Sequence, residues 1–292
     1  MMSGPRRDLH EGNRLSWNVA TEAHNSHKGD QAAFYRSGGN KLFAEERELL
    51  GNISGKRIVH LQCNSGQDSL SLVQMGAEVV GVDISDSAIE FARQLSAESG
   101  VPATFIRSDV YDWLDEAART GEQFDVVFCS YGAITWLSDL DSWAVGVEKI
   151  LKPGGQFVVV DFHPMSMCFD DDWNLTFPYS GFGGDAVLYV WEDGVGDYVA
   201  REMIQAEPGA ELPGVSDDEY VNPHPSYEFN WGIADILGAL LRAGLSIADV
   251  REYPYSNSGH MAGMSQTPNG KWIVPDNIPP TPLMYGIRAE KP

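Results

Sequence analysis

The stretch IVHLQCNSGQDSL, Ile58–Leu70, decides how this chain is read. An apolar, strand-like string runs through a short polar turn containing one glycine, Gly66, into a helix start. That order fits two structures: a plain connection, or the ligand-holding loop of a parallel sheet.

The sequence on either side supports the sheet. Short runs rich in Val, Ile and Phe recur at RIVHLQ (57–62), AEVVGVD (77–83), ATFIRSD (103–109), FDVVFCS (124–130) and QFVVVDF (156–162), as expected for strands buried on both faces. Amphipathic stretches lie between them. Residues 66–76 close on Gly76, residues 85–100 open on Ser85 and close on Gly100, and residues 138–155 run from a capping serine to a Pro-Gly-Gly turn. Repeated strand–helix–strand units with right-handed crossovers give an α/β, doubly wound, mostly parallel sheet. A further helix is expected over 231–245 and strands over 246–255 and 282–290. The 163–230 segment is a long insertion, rich in aromatics, Gly, Pro and Asp, of the kind that forms lids or substrate pockets. Within it, AVLYVWEDGVGDYVARE (186–202) reads as a hairpin turning at Asp193–Gly196.

Composition narrows the partners. Twenty Lys+Arg against 42 Asp+Glu leave a net charge of −22, a field that repels nucleic acid and anionic membrane surfaces. The three cysteines, Cys63, Cys129 and Cys168, are far apart and form no CxxC, which argues against a disulfide framework and a thiolate zinc site. A reducing cytoplasm is the expected compartment. Neither a signal-type apolar run nor a span of about 18 apolar residues is present. His24 and His27 form an HxxH on one helix face, but no further ligands accompany them and no metal is expected.

In a doubly wound sheet, ligands bind beyond the carboxyl ends of the strands, where the strand order reverses. The turn 62–66 falls at that place. Gly66 permits close backbone approach and starts a helix whose N–H groups favour an anionic group. Asp83 ends the second strand, where a carboxylate can accept from both hydroxyls of a ribose. Asp109 follows the third strand, suited to accept from the exocyclic amine of an adenine, with Val110 packing on the ring.

With these positions in view, the chain resembles the class I S-adenosylmethionine-dependent methyltransferases. The resemblance covers residues 57–162 most closely and rests on the loop Gln62–Gly66, Asp83 in GVDIS, Asp109, and the LKPGG turn Leu151–Gly155. It departs where the family has an acid at the end of strand one and spaced glycines in the loop, since His60, Gln62 and Asn64 stand there. The string is similar to a bacterial branch reading Leu-Gln-Cys-x-x-Gly-x-Asp. The resemblance implies a Rossmann-like sheet of seven strands, the last one antiparallel and formed by 282–290. It also implies an N-terminal helical cap over 1–56 and a catalytic domain over 57–292. S-adenosylmethionine is the implied cofactor, with Gln62, Asn64, Gly66, Asp83, Ile84, Asp109, Val110 and Ser130 about it. Trp17 and Tyr35 either close over that molecule or anchor the cap on the core.

Methyl transfer from a sulfonium is an in-line displacement favoured by holding the acceptor on axis in a site from which water is excluded. His163, at the mouth of the fifth strand, is the expected general base where the acceptor carries a proton. Tyr131, His224, Tyr227 and Trp231 are expected to line the pocket of a flat or partly apolar small molecule. Two other functions are compatible with the fold. A nicotinamide-dependent oxidoreductase is disfavoured because CNSGQD lacks the spaced glycines for a pyrophosphate. A cofactor-binding regulator or assembly partner without catalysis is compatible with the substituted loop.

Overall fold

Helices α1 (Arg7–Ser26), α2 (Gln31–Arg36) and α3 (Ala44–Leu50) precede the first strand of the computed structural model, which describes residues 4–170, 172–182, 185–206, 220–259 and 261–292. An alternating series follows: β1 (Arg57–Leu61), α4 (Gln67–Gln74), β2 (Glu78–Asp83), α5 (Asp86–Ser99), β3 (Thr104–Arg107), α6 (Val110–Thr120), β4 (Phe124–Ser130), α7 (Leu140–Ile150) and β5 (Leu151–Phe162). The rest of the chain adds β6 (Val187–Trp191), α8 (Tyr198–Ala206), β7 (Ser226–Asn230), α9 (Ile233–Arg242), β8 (Ser246–Tyr253), β9 (Ser265–Gln266), β10 (Trp272–Ile273) and β11 (Met284–Glu290).

Seven strands make one sheet in the order β3-β2-β1-β4-β5-β11-β8. Only β11 runs against its neighbours, antiparallel to both β5 and β8, as the resemblance implied. The order reverses between β1 and β4, which pair in parallel through Ile58↔Val126 and Val59↔Val127. Buried on both faces, the strands send alternate side chains into two cores. Val59, Leu61, Val127, Phe157 and Val159 pack with α6, α7 and α9 residues on one side. Ile58, Val126, Phe128, Val158 and Val160 meet Leu49, Leu50 and Leu72 of α3 and α4 on the other.

The helices start and stop where local chemistry permits. Ser85 caps α5 by accepting from Ala88 N, and Gly100 ends it with φ +70°. Helix α6 opens on Asp109, whose side chain accepts from Tyr111 N, and closes on Gly121. Helix α7 stops at Ile150, short of the expected 155, because Leu151 already pairs with Phe124. The LKPGG segment is thus the irregular first part of β5, with a register shift before Gln156 pairs with Val126.

The hairpin expected over 186–202 does not form. Strand β6 pairs instead with β7, Val187 facing Asn230 and Trp191 facing Ser226. Beyond Asp193–Gly196 the chain enters α8, where Asp197 accepts from Ala200 N and Ala200 is buried. Alternation in 226–230 supplies the better partner strand, and an aspartate at a helix start removes the competing one. Of the expected insertion 163–230, residues 171, 183, 184 and 207–219 lie outside the described residues, as do residues 1–3 of the expected cap. The described part docks on α1. Asn13 Nδ2 donates to Tyr227 O at 2.9 Å, Tyr227 N donates to Asn13 Oδ1 at 2.7 Å, and Val195 N donates to Ser16 Oγ at 2.8 Å. Among the described residues no helix is long and apolar enough to cross a membrane.

Candidate active site

A cavity of about 530 Å³ opens at the carboxyl ends of β1, β2 and β4 and is roofed by α1, α8 and the segments flanking α2. That volume lies in the range of small-molecule and cofactor sites.

The turn after β1 is held in an unusual shape. Gln62, Asn64 and Gly66 all have positive φ, at 55°, 48° and 79°. Asp83 fixes this shape by accepting from Asn64 N at 2.8 Å and from Ser85 N at 2.9 Å. Burial raises the Asp83 pKa above its ordinary value despite these two N–H groups. Each oxygen keeps lone-pair capacity toward the cavity that Asp83 lines. Gly66 itself does not line it. Its role is steric: a Cβ there would lie 2.7 Å from Phe105 Cζ and 2.9 Å from Ala92 Cβ.

Gln62 Nε2 donates to Ala133 O at 2.7 Å, tying the β1 loop to the β4 loop. Its Oε1 is buried without a hydrogen-bond partner among the described residues. A buried acceptor without a donor costs stability. The β4 loop is pinned from beneath by Asp161, which accepts from Gly132 N at 2.5 Å and Ile134 N at 3.1 Å.

Asp109 lines the cavity while both its oxygens are engaged. Oδ1 accepts from Tyr111 N at 2.8 Å and Oδ2 from His10 Nδ1 at 2.6 Å. Burial alone would raise its pKa, but the His10 bond and charge outweigh burial and hold it below the ordinary value. His10 therefore carries a proton on Nδ1, and its Nε2 lies 2.7 Å from Ser138 Oγ. The ring stacks on Tyr111 with centroids 5.4 Å apart. His10 was not legible as a site residue because nothing local separates it from any helical histidine.

Of the other expected residues, Trp17, Tyr35, Ile84, Val110, Ser130 and Tyr131 also line the cavity. Trp17 meets Trp136 edge-on at 5.6 Å, and Tyr35 donates its hydroxyl to Gln67 O at 2.6 Å. Four residues are not brought there. His163 is buried beside β8, its Nδ1 accepting from Met165 N at 3.0 Å and its Nε2 donating to Glu252 Oε1 at 2.9 Å. With both nitrogens occupied away from the cavity, it has no route to a substrate proton. Trp231 is a core residue that donates to Leu137 O at 2.7 Å. Tyr227 packs its ring against Gly12, and His224 sits in the turn before β7, held through its N–H to Asn222 Oδ1. They miss the cavity because β7 pairs with β6 and turns this segment toward the outer side of α1.

Polar groups that the sequence did not single out take their place. Asp68, inside the Gly-x-Asp string, accepts from Ser130 Oγ at 3.0 Å, and burial raises its pKa while Ser130, Lys28 and Lys41 oppose that. His60 lies beneath, with Nδ1 2.9 Å from Ser69 Oγ and Nε2 3.2 Å from Ser130 Oγ. Glu202 of α8 also lines the cavity, bonded to the Ser258 hydroxyl. It was hidden because its segment read as a strand. His24 Nε2 bonds Gly196 O at 3.0 Å and His27 Nε2 bonds Asp197 Oδ2 at 2.8 Å, so the HxxH pair fastens α1 to the start of α8.

Burial pushes the His60 pKa down to about 3. The unfolded chain therefore takes up that proton first, so this contribution to stability is complete above about pH 6.5 and is lost as pH falls toward 3. Urea denaturation of the wild type and His60→Gln at pH 7.5 and pH 5 should show the wild type losing about 2 kcal/mol more than the variant over that interval.

The comparisons with known proteins agree with this geometry. Residues 53–186 match the model of a family described as a methyltransferase domain. The chain is 33% identical over 109 residues to a ubiquinone biosynthesis O-methyltransferase of Proteus mirabilis, covering 37% of this chain and 43% of that protein. It is 35% identical over 130 residues to an uncharacterized methyltransferase of Synechocystis, covering 43% and 57%. The matches thus span about half the length of these relatives. Among solved structures, S-adenosylmethionine-dependent methyltransferases of Mesorhizobium loti (TM-score 0.52, 21% identity, 84% of this chain and 95% of that one) and Clostridium acetobutylicum (TM-score 0.53, 14%, 86% and 92%) share the fold. Sheet order, loop and cavity together define a Rossmann-like methyltransferase fold. Residues 53–186 thus carry a methyltransferase domain, the part of the chain that the family model matches.

Proposed function

We propose that this chain is a cytoplasmic enzyme that transfers the methyl group of S-adenosylmethionine to a small-molecule acceptor. The observation that carries the reading is the loop itself: Asp83 locks Asn64, and Gln62, Asn64 and Asp83 line one cavity at the strand-order reversal. The donor set fits the cofactor. Asp83 would hold the ribose hydroxyls, and Ile84 and Val110 would flank the adenine. When bound, the cofactor supplies an electrophilic methyl group on a sulfonium. The protein's part is to bind, orient and exclude water, with Trp17 and Trp136 in the roof. Should the acceptor give up a proton, Asp68 and Glu202 are the carboxylates that face it. Residues 1–56 and 163–230 act as cap and pocket insertion on the 57–292 domain. The −22 charge supports a small acceptor over nucleic acid.

Isothermal titration tests this directly. S-adenosylhomocysteine should bind with a Kd in the micromolar range, while NADH should give no heat; the reverse pattern would assign the cavity to a dinucleotide. A homocysteine-release assay over small acceptors then separates catalysis from binding alone.

A further inference from the structure

The cavity carries two cations that the methyltransferase reading does not use. Lys28 lies between α1 and α2, and Lys41 lies between α2 and α3, so both line the cavity from loops that flank one short helix. Among the described residues neither ammonium has a salt-bridge or hydrogen-bond partner. Several other cations are paired, Arg14 with Glu11, Arg57 with Glu122, Lys152 with Asp125 and Lys271 with Glu45. In a chain of net charge −22, two lysines without an ion-pair partner line one cavity, beside the carboxylates Asp68 and Glu202. The two sense each other and both act on Asp68, so they form one cluster. Although Lys28 is exposed as a residue, desolvation in the cavity lowers the pKa of its ammonium, and an anion beside it would restore the ordinary value. The charges that act most strongly on Lys28 are those of Asp68, Lys41, Glu202 and Asp197. The adjoining wall is aromatic. Phe34 lies under Lys41 at 5.0 Å, Phe43 meets Tyr131 edge-on at 5.8 Å, and Tyr198, packed on His24 at 4.1 Å, lines the same cavity.

Building on the methyltransferase reading, we propose that the acceptor is a small anionic compound with an apolar, ring-sized body, its carboxylate or phosphate held between Lys28 and Lys41 and its body laid against Phe43, Tyr131 and Tyr198. Lys28 and Lys41 set specificity; methyl transfer itself does not require them.

The test uses the full chain loaded with S-adenosylhomocysteine and saturation-transfer NMR. The probes are benzoate, phenylacetate and phenyl phosphate, each beside its neutral counterpart: benzamide, phenylacetamide and phenol. At least one anion is expected to bind tenfold or more tightly than its neutral counterpart, and the probe that does so distinguishes carboxylate from phosphate. The double variant Lys28→Met/Lys41→Met should abolish that preference while the Kd for S-adenosylhomocysteine stays within twofold, and Lys28→Arg/Lys41→Arg should retain it. Equal binding within every pair, or no binding of any probe, overturns the proposal. So does a tenfold rise in the S-adenosylhomocysteine Kd of the double Met variant, which would assign the lysines to the cofactor's own carboxylate. If the wild type fails to bind S-adenosylhomocysteine in the initial titration, the methyltransferase reading falls first and this one with it.

Discussion

Gly66→Ala is expected to destabilise the protein by about 2–5 kcal/mol, the sum of a left-handed backbone cost of about 1–2 and an overpacking cost of about 1–3. Both terms are visible at the residue. Its φ is +79°, and a Cβ would meet the Phe105 ring at 2.7 Å and Ala92 Cβ at 2.9 Å, atoms of the buried α4–α5–β3 cluster that cannot move independently. Gly81→Ala provides the control, because its Cβ would meet the same Phe105 at 2.7 Å and Cys63 Sγ at 2.8 Å without a positive φ. Urea denaturation should place Gly66→Ala below Gly81→Ala by about 1–2 kcal/mol, the backbone term alone. Equal losses would show that packing on Phe105, and not the turn, requires the glycine.

The second large effect is on the ligand. Asp83→Asn keeps the size of the side chain but replaces one acceptor oxygen by an NH₂, which must face Asn64 N–H or Ser85 N–H. Losing a charge-assisted pair costs about 1.5–3 kcal/mol. The Kd for S-adenosylhomocysteine should therefore rise about ten- to hundredfold by isothermal titration. The unfolding midpoint without ligand should fall too, because the 62–66 turn loses half of its anchor. A Kd within twofold of the wild type would place the ribose elsewhere.

These two residues also show what was legible. Gly66 and Asp83 could be found because each is demanded by a local event, a turn into a helix and the end of a buried strand, and such events leave residue types in fixed order. Asp109 was legible as an acid at the third strand end, but the sequence did not disclose that His10 and Tyr111 would occupy its oxygens. His163 was misread for the same reason: position along β5 put it near the mouth, whereas its ring turns to Glu252 on β8, nearly ninety residues on. Tyr227 and Trp231 were placed by proximity in sequence to the expected lid, and strand pairing sent them elsewhere.

From the sequence alone came the order of strands and helices, the parallel sheet and the strand-end acids, while the reversed last strand followed from the family resemblance. Periodicity, capping residues and glycines act over a few positions, and the fold rule for parallel sheets carries them to a ligand-facing edge. The tertiary structure alone decided the roof of the cavity. Lys28, Lys41, Tyr198 and Glu202 come from loops and helices separated by up to some 170 residues, and what brings them together is the docking of α1 and α8 and the pairing of β6 with β7. Those contacts depend on long-range burial and hydrogen bonds between distant backbones, which no local pattern of residues encodes.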